Sequence, residues 1–402
     1  MGVLMNTRLQ WHMKKATAAL LVTCMLAFSS HTYAQETDLI AIYEKALAHD
    51  ALLASMRFEN QAVQELISQG RSLFLPSITA TLGYDENDNA RKILTPAAAS
   101  NALLSGNEAD YHSYDYGITV TQPLFNYGAF QQYKQILSQT SLSEKKLLQV
   151  QQELIYRVAL VYFETLMARD EIGLLQAQKA SINEQLIESE ARYDVGLISI
   201  TDVNESKTKA AMIDAQIIAA IQRLKIKNRQ IESLTGELPD KIKGINSRVS
   251  FVAVTDMMED WISLATENNL ELKIKEDEIK IADTEIDVRR SNHYPTVDAV
   301  ASRSRNWDKG GYPYGGIENE GVRSFSDVLG VQINIPIFSG GYTSSRVREA
   351  QKLKLKTAED AEYLKRQVEL KVREHYLNLQ ANFAEIEAYQ QALNSATLQV
   401  ES

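Results

Sequence analysis

The sequence predicts a mainly α protein with membrane-type β-strands, built as two tandem helix–strand–strand–helix halves. Three observations predict it. Four short segments, at about 77–85, 113–122, 296–303 and 327–335, alternate apolar with polar residues. Stretches almost free of glycine and proline flank them, and these are too long for the core of a globular domain. Landmarks of the first half also return in order in the second: Ala46 as Ala265, Leu53 as Leu272, Arg71-Ser72 as Arg290-Ser291, Pro76 as Pro295, Pro123 as Pro336, Gly128 as Gly341 and Tyr162 as Tyr376. So ordered a set marks a tandem duplication whose inter-strand loops differ in length, as loops tolerate.

The chain of 402 residues opens with Lys14 and Lys15, the apolar run Ala16–Phe28 and a polar stretch ending at Ala34. Residues 1–34 therefore read as a secretory signal peptide, with Met13 a possible start. Cys24, the single cysteine, lies inside it. Thr23 stands where an acylation site wants Gly or Ala, which disfavours lipidation, and past Ala34 no disulfide or thiol chemistry is expected. Residues 1–34 hold three basic and no acidic side chains, so the remainder carries 39 Lys and Arg against 52 Asp and Glu, a net charge of −13. That balance excludes a nucleic-acid partner, which needs clustered positive charge. Past the signal no run of 18 apolar residues occurs, so no membrane helix is expected and any crossing is by strands.

The first repeat covers 35–236, a linker 237–257, and the second repeat 258–402. Pro76 and Pro295 open the first strand of each half, and Pro123 and Pro336 close the second. Pro96 and Pro313 fall in the inter-strand loops and Pro239 in the linker, so every proline avoids a helix interior. Residues 129–193 as one helix would extend roughly 100 Å. Apolar residues at 148, 155, 159, 162 and 166, and at 217, 221, 224 and 231, recur at spacings of three, four and seven. A period near 3.5 packs helices side by side as coiled coils.

In the strands, Ile78, Ala80, Leu82 and Tyr84 oppose Ser77, Thr79, Thr81 and Gly83, and Leu329, Val331, Ile333 and Ile335 oppose Val328, Gly330, Gln332 and Asn334. One apolar and one polar face over about nine residues is the dimension of a tilted strand crossing a bilayer. A water-soluble sheet alternates in the same way, but it needs an amphipathic element to cover it and none is left over. A sheet in lipid must close on itself, and one chain holds four strands where a barrel needs at least about eight. Copies must pool their strands. The joins Arg71, Ser72, Pro76 and Arg290, Ser291, Pro295, with the returns at Pro123 and Pro336, are then where a helical tunnel becomes a membrane pore.

With "RSLFLPSITA", "QPLF" and "RYDVGLISITDV" (192–203) in place, residues 36–402 resemble the TolC family of outer-membrane efflux and secretion channels. The resemblance implies a homotrimer in the outer membrane of a Gram-negative envelope, with a twelve-stranded β-barrel continued by a periplasmic α-helical barrel. Such a duct is passive. It has no cofactor or chemistry of its own and carries small molecules or proteins from an inner-membrane pump or ABC exporter through a periplasmic adaptor (membrane fusion) protein. By the same resemblance Val195, Gly196 and Leu197 match the helix-hairpin tip that meets the adaptor, and Thr201 and Asp202 match residues of the periplasmic aperture. Ser199 and Asp202 also read as an S-x-x-D capping box, and both roles can hold. The counterpart of Gly196 in the second repeat falls near about position 410, past Ser402, so a C-terminally truncated chain is expected.

Enzymatic readings find no support: the six histidines lack ligand spacing, and no H-E-x-x-H, P-loop or G-x-S-x-G occurs. The acidic run 267–280 reads as a solvated helix face rather than a metal site. Trp307, Tyr312 and Tyr314 fit either membrane-interface anchors or exposed receptor features. The alternative to a channel is a periplasmic coiled-coil adaptor or scaffold, which also has long helical hairpins but no reason to alternate helix and membrane-type strand twice.

Overall fold

The computed structural model describes residues 37–90, 108–245, 257–311 and 320–401. The signal segment with Cys24, and Pro96, Pro313, Tyr312 and Tyr314, lie outside the described residues. The elements in chain order are helices α1 (Leu39–His49) and α2 (Ala51–Ser72), strands β1 (Ser77–Ala90) and β2 (Glu108–Asn126), and helices α3 (Tyr127–Asp194) and α4 (Ile200–Thr235). The second half supplies α5 (Met258–Asn268), α6 (Leu270–Arg290), β3 (Thr296–Lys309), β4 (Val322–Asn334) and α7 (Tyr342–Glu401). No helix among the described residues is long and apolar enough to cross a membrane.

The first helix of each half is broken, which the periodicity did not reveal. Asp50 and Asn269, equivalent in the duplication, both adopt extended backbone between two helices. Each donates its N–H to the carbonyl of the matched alanine, Ala46 at 2.8 Å or Ala265 at 2.9 Å. Each then caps the next helix through its side chain, accepting from Leu53 N–H at 2.7 Å or Leu272 N–H at 3.1 Å. A short Asx side chain offers the backbone this alternative to continuing the helix. The matched alanine and leucine are therefore marks of one conserved break geometry within the chain.

Two compact units are present: Met1–Ala54 with Gln152–Ser250, and Ser55–Gln151 with Phe251–Ser402. In the first, α3 residues past 152 and α4 form an antiparallel hairpin. Its apolar contact runs through Leu175, Ile213 and Ala220, with Ile172, Ile182 and Ile217 packed against them. Exposed ion pairs flank it, such as Lys227–Glu164 at 2.9 Å and Lys179–Asp214 at 2.6 Å, and these add little individually. At the far end Gly236 adopts φ +78° and gives its N–H to Glu232 O, ending α4. A Cβ there would stand 3.1 Å from the His49 ring, so both backbone and space favour glycine. Asp50, 6% exposed, takes a two-pronged bond from Arg157 at 3.0 and 3.3 Å. Tyr162 donates to Lys243 O at 2.6 Å. Burial, then the charge of Asp38, push its phenol up, while Arg169 pulls it down.

The second unit holds the four strands and α2, α5, α6, α7 and the start of α3. Buried apolar residues of its helices include Ile136, Leu272, Ile274, Ile286, Ala350 and Val368. Asp277 is buried there at 2% exposure and accepts from Ser141 at 2.9 Å, Lys280 at 3.0 Å and Lys145. Burial pushes the Asp277 carboxyl up, but the bonds from Lys145, Lys280 and Ser141 and the charge of Lys145 outweigh it and hold it below 3.8. A folded-state value below the unfolded one stabilises above the unfolded value and is lost as pH falls through the folded one. Asp277→Asn is therefore expected to cost about 3 kcal/mol in chemical denaturation at neutral pH. It should also flatten the acid limb of the stability profile below pH 3.8, whereas an unchanged limb would show that Asp277 does not carry it.

Candidate functional site: a two-faced sheet and a capped hairpin tip

The strands form one antiparallel sheet in the order β1-β2-β3-β4. Register sorts the side chains into two faces. On the first, Ile78 stands beside Val120, Val120 beside Ala301, and Ala301 beside Leu329. Leu82, Tyr116, Val297, Val331 and Ile333 share it, with Leu82 88% and Leu329 86% exposed. The second face carries Thr121, Val300 and Gly330, then Thr79, Thr119, Ser302 and Val328, then Thr81, Gly117, Ser304 and Ser326, then Asp115, Asn306 and Ser324. Its polar groups bond to one another: Asn306 donates to Asp115 at 2.7 Å, Ser113 to Asp308 at 2.7 Å and Asn87 to Ser113 at 3.0 Å. No helix packs across either face among the described residues. A largely polar face backed by a half-exposed to exposed apolar face suits water on one side and hydrocarbon on the other.

The strands run further than the alternation, because pairing continues through Asp85–Ala90, where both faces are polar: Asn87 faces Tyr111 and Asp88 faces Asp110. Apolar alternation marks only the part of a strand that meets an apolar medium. Pro123 does not close β2, which continues to Asn126. The register shifts between Pro123 and Phe125, so Leu124 is an inserted residue and Phe125 turns onto the apolar face beside Val297. The bulge lets proline, which lacks an N–H, sit in a paired strand. Pro336 lies past the end of β4 at Asn334, which also leaves Ile335 outside the strand.

The two helix-to-strand joins use the same bonds. Ser72 donates its hydroxyl to Gln69 O and Ser291 to Val288 O, each at 2.6 Å. Turn bonds Leu75 N–H to Ser72 O and Tyr294 N–H to Ser291 O follow, and the strands begin directly after Pro76 and Pro295. Arg290 pairs with Asp287 at 2.9 Å. Asn126 caps α3 by accepting from Ala129 N–H at 3.0 Å. The joins of Ser291 and Pro336 and the start of α3 meet around a cavity of about 420 Å³ that Leu73, Asn126 and Tyr294 also line.

At the hairpin tip α3 stops at Asp194 with Gly196 at φ +78°. Gly196 N–H reaches Tyr193 O at 2.8 Å and Leu197 N–H reaches Arg192 O at 2.9 Å, the paired bonds of a Schellman ending. Val195 at 69% and Leu197 at 70% are left exposed, beside Ile200. Ser199 then caps α4: its N–H and its hydroxyl both donate to Asp202 Oδ2 at 2.9 Å, and its Oγ accepts from Asp202 N–H. The Ser199 backbone and then its hydroxyl hold the Asp202 carboxyl below its usual range. The structure thus brings Val195, Gly196, Leu197, Thr201 and Asp202 onto one tip and uses Asp202 as a cap. Ser199→Ala is expected to cost about 1 kcal/mol locally, speeding amide exchange over 200–203 about fivefold. It should also raise the Asp202 carboxyl toward the ordinary range in an NMR titration. Unchanged exchange would show that the box does not hold the turn.

Sequence reasoning missed a charged cluster on the apolar face. Arg303 faces Asp327 and bonds it twice, at 2.7 and 2.9 Å. Arg305 lies over the Phe325 ring at 5.0 Å and Arg323 over the Trp307 ring at 4.5 Å. The signal was parity: Arg303 and Arg305 are odd-numbered in β3, like Val297 and Ala299. Among the described residues no group of acidic, histidine or cysteine side chains is placed to hold a metal.

Known proteins share this arrangement. At 27% identity over 397 residues, the chain is similar to outer membrane protein TolC of Vibrio cholerae serotype O1, covering 97% of this chain and 85% of that protein. It is also 27% identical over 392 residues to the proteases secretion protein PrtF of Dickeya chrysanthemi, covering 94% and 80%. Among solved structures, CusC, studied for transmembrane channel formation, matches with TM-score 0.68 at 15% identity over 90% of this chain and 80% of that one. VceC, an outer membrane protein of Vibrio cholerae, matches with TM-score 0.67 at 15% identity over 89% and 82%. The two structural matches establish the fold. A family model described as outer membrane efflux protein matches residues 42–237 and 261–402, taking in both hairpins and both runs of helix, and by that match the chain belongs to the outer membrane efflux protein family.

Proposed function

We propose that this chain is one protomer of an outer-membrane channel that serves efflux or type I secretion, with its helical part in the periplasm. The observation that carries this is the sheet: four strands, one face apolar and half-exposed to exposed, the other largely polar, and β1 and β4 each with a single neighbour. An edge in hydrocarbon leaves N–H and C=O groups unbonded, so β1 of one copy must meet β4 of another. Two copies would give eight strands, a barrel whose interior side chains fill. Three give twelve and leave room for a wet lumen lined largely by Thr, Ser, Gly and Asn. The exposed apolar residues of α7, among them Leu353, Leu370, Leu377 and Tyr389, support helices packing between copies.

The adaptor or scaffold alternative loses to the channel, because a two-faced membrane sheet has no part in it and the relatives are outer-membrane and secretion proteins. The tip Val195, Gly196 and Leu197 suits contact with a periplasmic adaptor, since two exposed apolar side chains flank a rigid turn. Through that adaptor the duct receives cargo from an inner-membrane pump or ABC exporter. Thr201 and Asp202, one turn into α4, are assigned to the periplasmic aperture. Asp202 keeps Oδ1 free while Oδ2 serves the cap.

Neighbouring residues on opposite faces supply the test. Leu329→Arg places a charge on the lipid face near mid-belt, at a cost of about 2–4 kcal/mol. Gly330→Ser adds a hydroxyl on the lumen face, where a Cβ meets nothing within 4 Å. Heat-modifiable trimers in outer-membrane fractions and single-channel conductance are expected to fall for the first and persist for the second. Equal behaviour of the two, or a detergent-independent monomer, would overturn the assignment.

A further inference from the structure

The basic cluster of β3 and β4 stands out in a chain of net charge −10. Arg303, Arg305 and Arg323 all project from the apolar face, with Asp327 the acid that pairs with the first. Among the described residues Arg305 and Arg323 make no direct salt bridge, although the charge of Arg305 acts on Asp327; each lies against an aromatic ring. Stacking occupies the flat side of a guanidinium and leaves its in-plane N–H groups free for a planar or tetrahedral anion. Arg303 and Arg305 are two residues apart on one strand, and Arg323 sits diagonally across from Arg305, so Arg305 has each of the other two within roughly 7–8 Å while Arg303 and Arg323 stand about 14 Å apart.

Their depth follows from strand tilt. At a tilt of about 40°, a line of cross-strand partners rises roughly 3 Å per strand. The apolar residues give the direction. On β1 and β2 they climb to Tyr84 and Tyr114, whereas past β4 they continue downward through Ile335, Ile337 and Phe338. Tyr84, Tyr114, Trp307 and Arg323 form one cross-strand row; the Arg305–Phe325 pair lies next below it, and the Arg303–Asp327 pair, whose row starts at Ala80 and Ile118, lies about 10 Å below Trp307 along the membrane normal. The Tyr84, Tyr114 and Trp307 rings stack in sequence, with centroids 5.3 and 5.6 Å apart, as an interfacial aromatic belt. Charge on a lipid face costs least at that level, where Arg323 lies, and the deepest arginine, Arg303, is the one paired with an acid. Two shallow concavities flank Arg303, of about 350 and 490 Å³, floored by Ala80, Leu82 and Ile118 on one side and by Val120, Ala301 and Leu329 on the other.

We infer that this patch binds a phosphate-bearing lipid of the outer leaflet, with Arg305 and Arg323 gripping the phosphate, the Arg303–Asp327 pair fixing the lower rim, and the two concavities taking acyl chains. Charge complementarity selects the occupant: a zwitterionic headgroup would bring its own cation to the two guanidiniums. The inference rests on the channel reading, which puts this face in lipid.

Trp307, beside Arg323, reports the site. The full-length protein, with Trp11 and Trp261 replaced by Phe, is placed in phosphatidylcholine nanodiscs doped with a brominated bisphosphorylated glycolipid or its dephosphorylated form. The phosphorylated form is expected to quench Trp307 at about tenfold lower mole fraction, the worth of one charge-assisted bond. Arg305→Gln with Arg323→Gln should abolish that preference, and Arg366→Gln on α7 should keep it. Quenching by brominated phosphatidylcholine in every variant shows the face in lipid; with that present, no phosphate preference overturns the inference alone. No quenching by any lipid overturns the channel reading with it. A preference erased by excess inorganic phosphate would assign the arginines to soluble anions and overturn the lipid assignment.

Discussion

A β-sheet that faces hydrocarbon cannot keep an unpaired edge, because each N–H and C=O left bare there costs several kcal/mol with no water to satisfy it. Among the described residues the sheet has two edges, β1 and β4, and no cover on its apolar face. In the proposed channel further copies close it, and that closure carries the other features along. It turns the largely polar face inward around water. It also explains why exposed apolar residues persist on helices that would otherwise be poorly placed in solvent. In that reading a lumen lined largely by Ser, Thr, Gly and Asn passes cargo by being wet.

Duplication supplied the halves with common hardware and left them free to diverge elsewhere. The breaks at Asp50 and Asn269 and the hydroxyl bonds of Ser72 and Ser291 are the same devices used twice. Asp50 adds an ion pair to Arg157 that its counterpart lacks in kind, being an amide. The first half returns from its sheet through a bulge at Pro123, while Pro336 waits until β4 has ended. Among the described residues, arginines decorate the apolar face only in the second half. Backbone geometry at the joins is constrained by the change from helix to strand, whereas outward side chains answer only to the medium they meet.

At the tip, one carboxylate illustrates how local and functional roles share a residue. Asp202 satisfies the start of α4 through one oxygen, and those bonds favour its ionised form at the position proposed for the aperture. Gly196 sets the turn and leaves Val195 and Leu197 in the open. A Schellman ending followed within three residues by a capping box makes the turn rigid. Rigidity lowers the ordering cost of docking a partner there.

Taken alone, the sequence determined the class of fold, the four strands, the long helices, the hairpin turn at 194–198 and the capping box, because each depends on periodicity, on proline and glycine placement, or on residues three apart. The duplicated order also pointed to the helix-to-strand joins, but not to where the strands return to helix. Tertiary structure decided what depends on pairing: the breaks at Asp50 and Asn269, the full length of the strands past Tyr84, the inserted Leu124 and the division into units that do not follow the repeat. It decided, too, that Arg303, Arg305 and Arg323 share a face with Leu329 and Val331. A strand's own alternation shows which residues lie together on it, but only register with its neighbours shows what those residues stand beside, and register is set by long-range hydrogen bonds that no local pattern encodes.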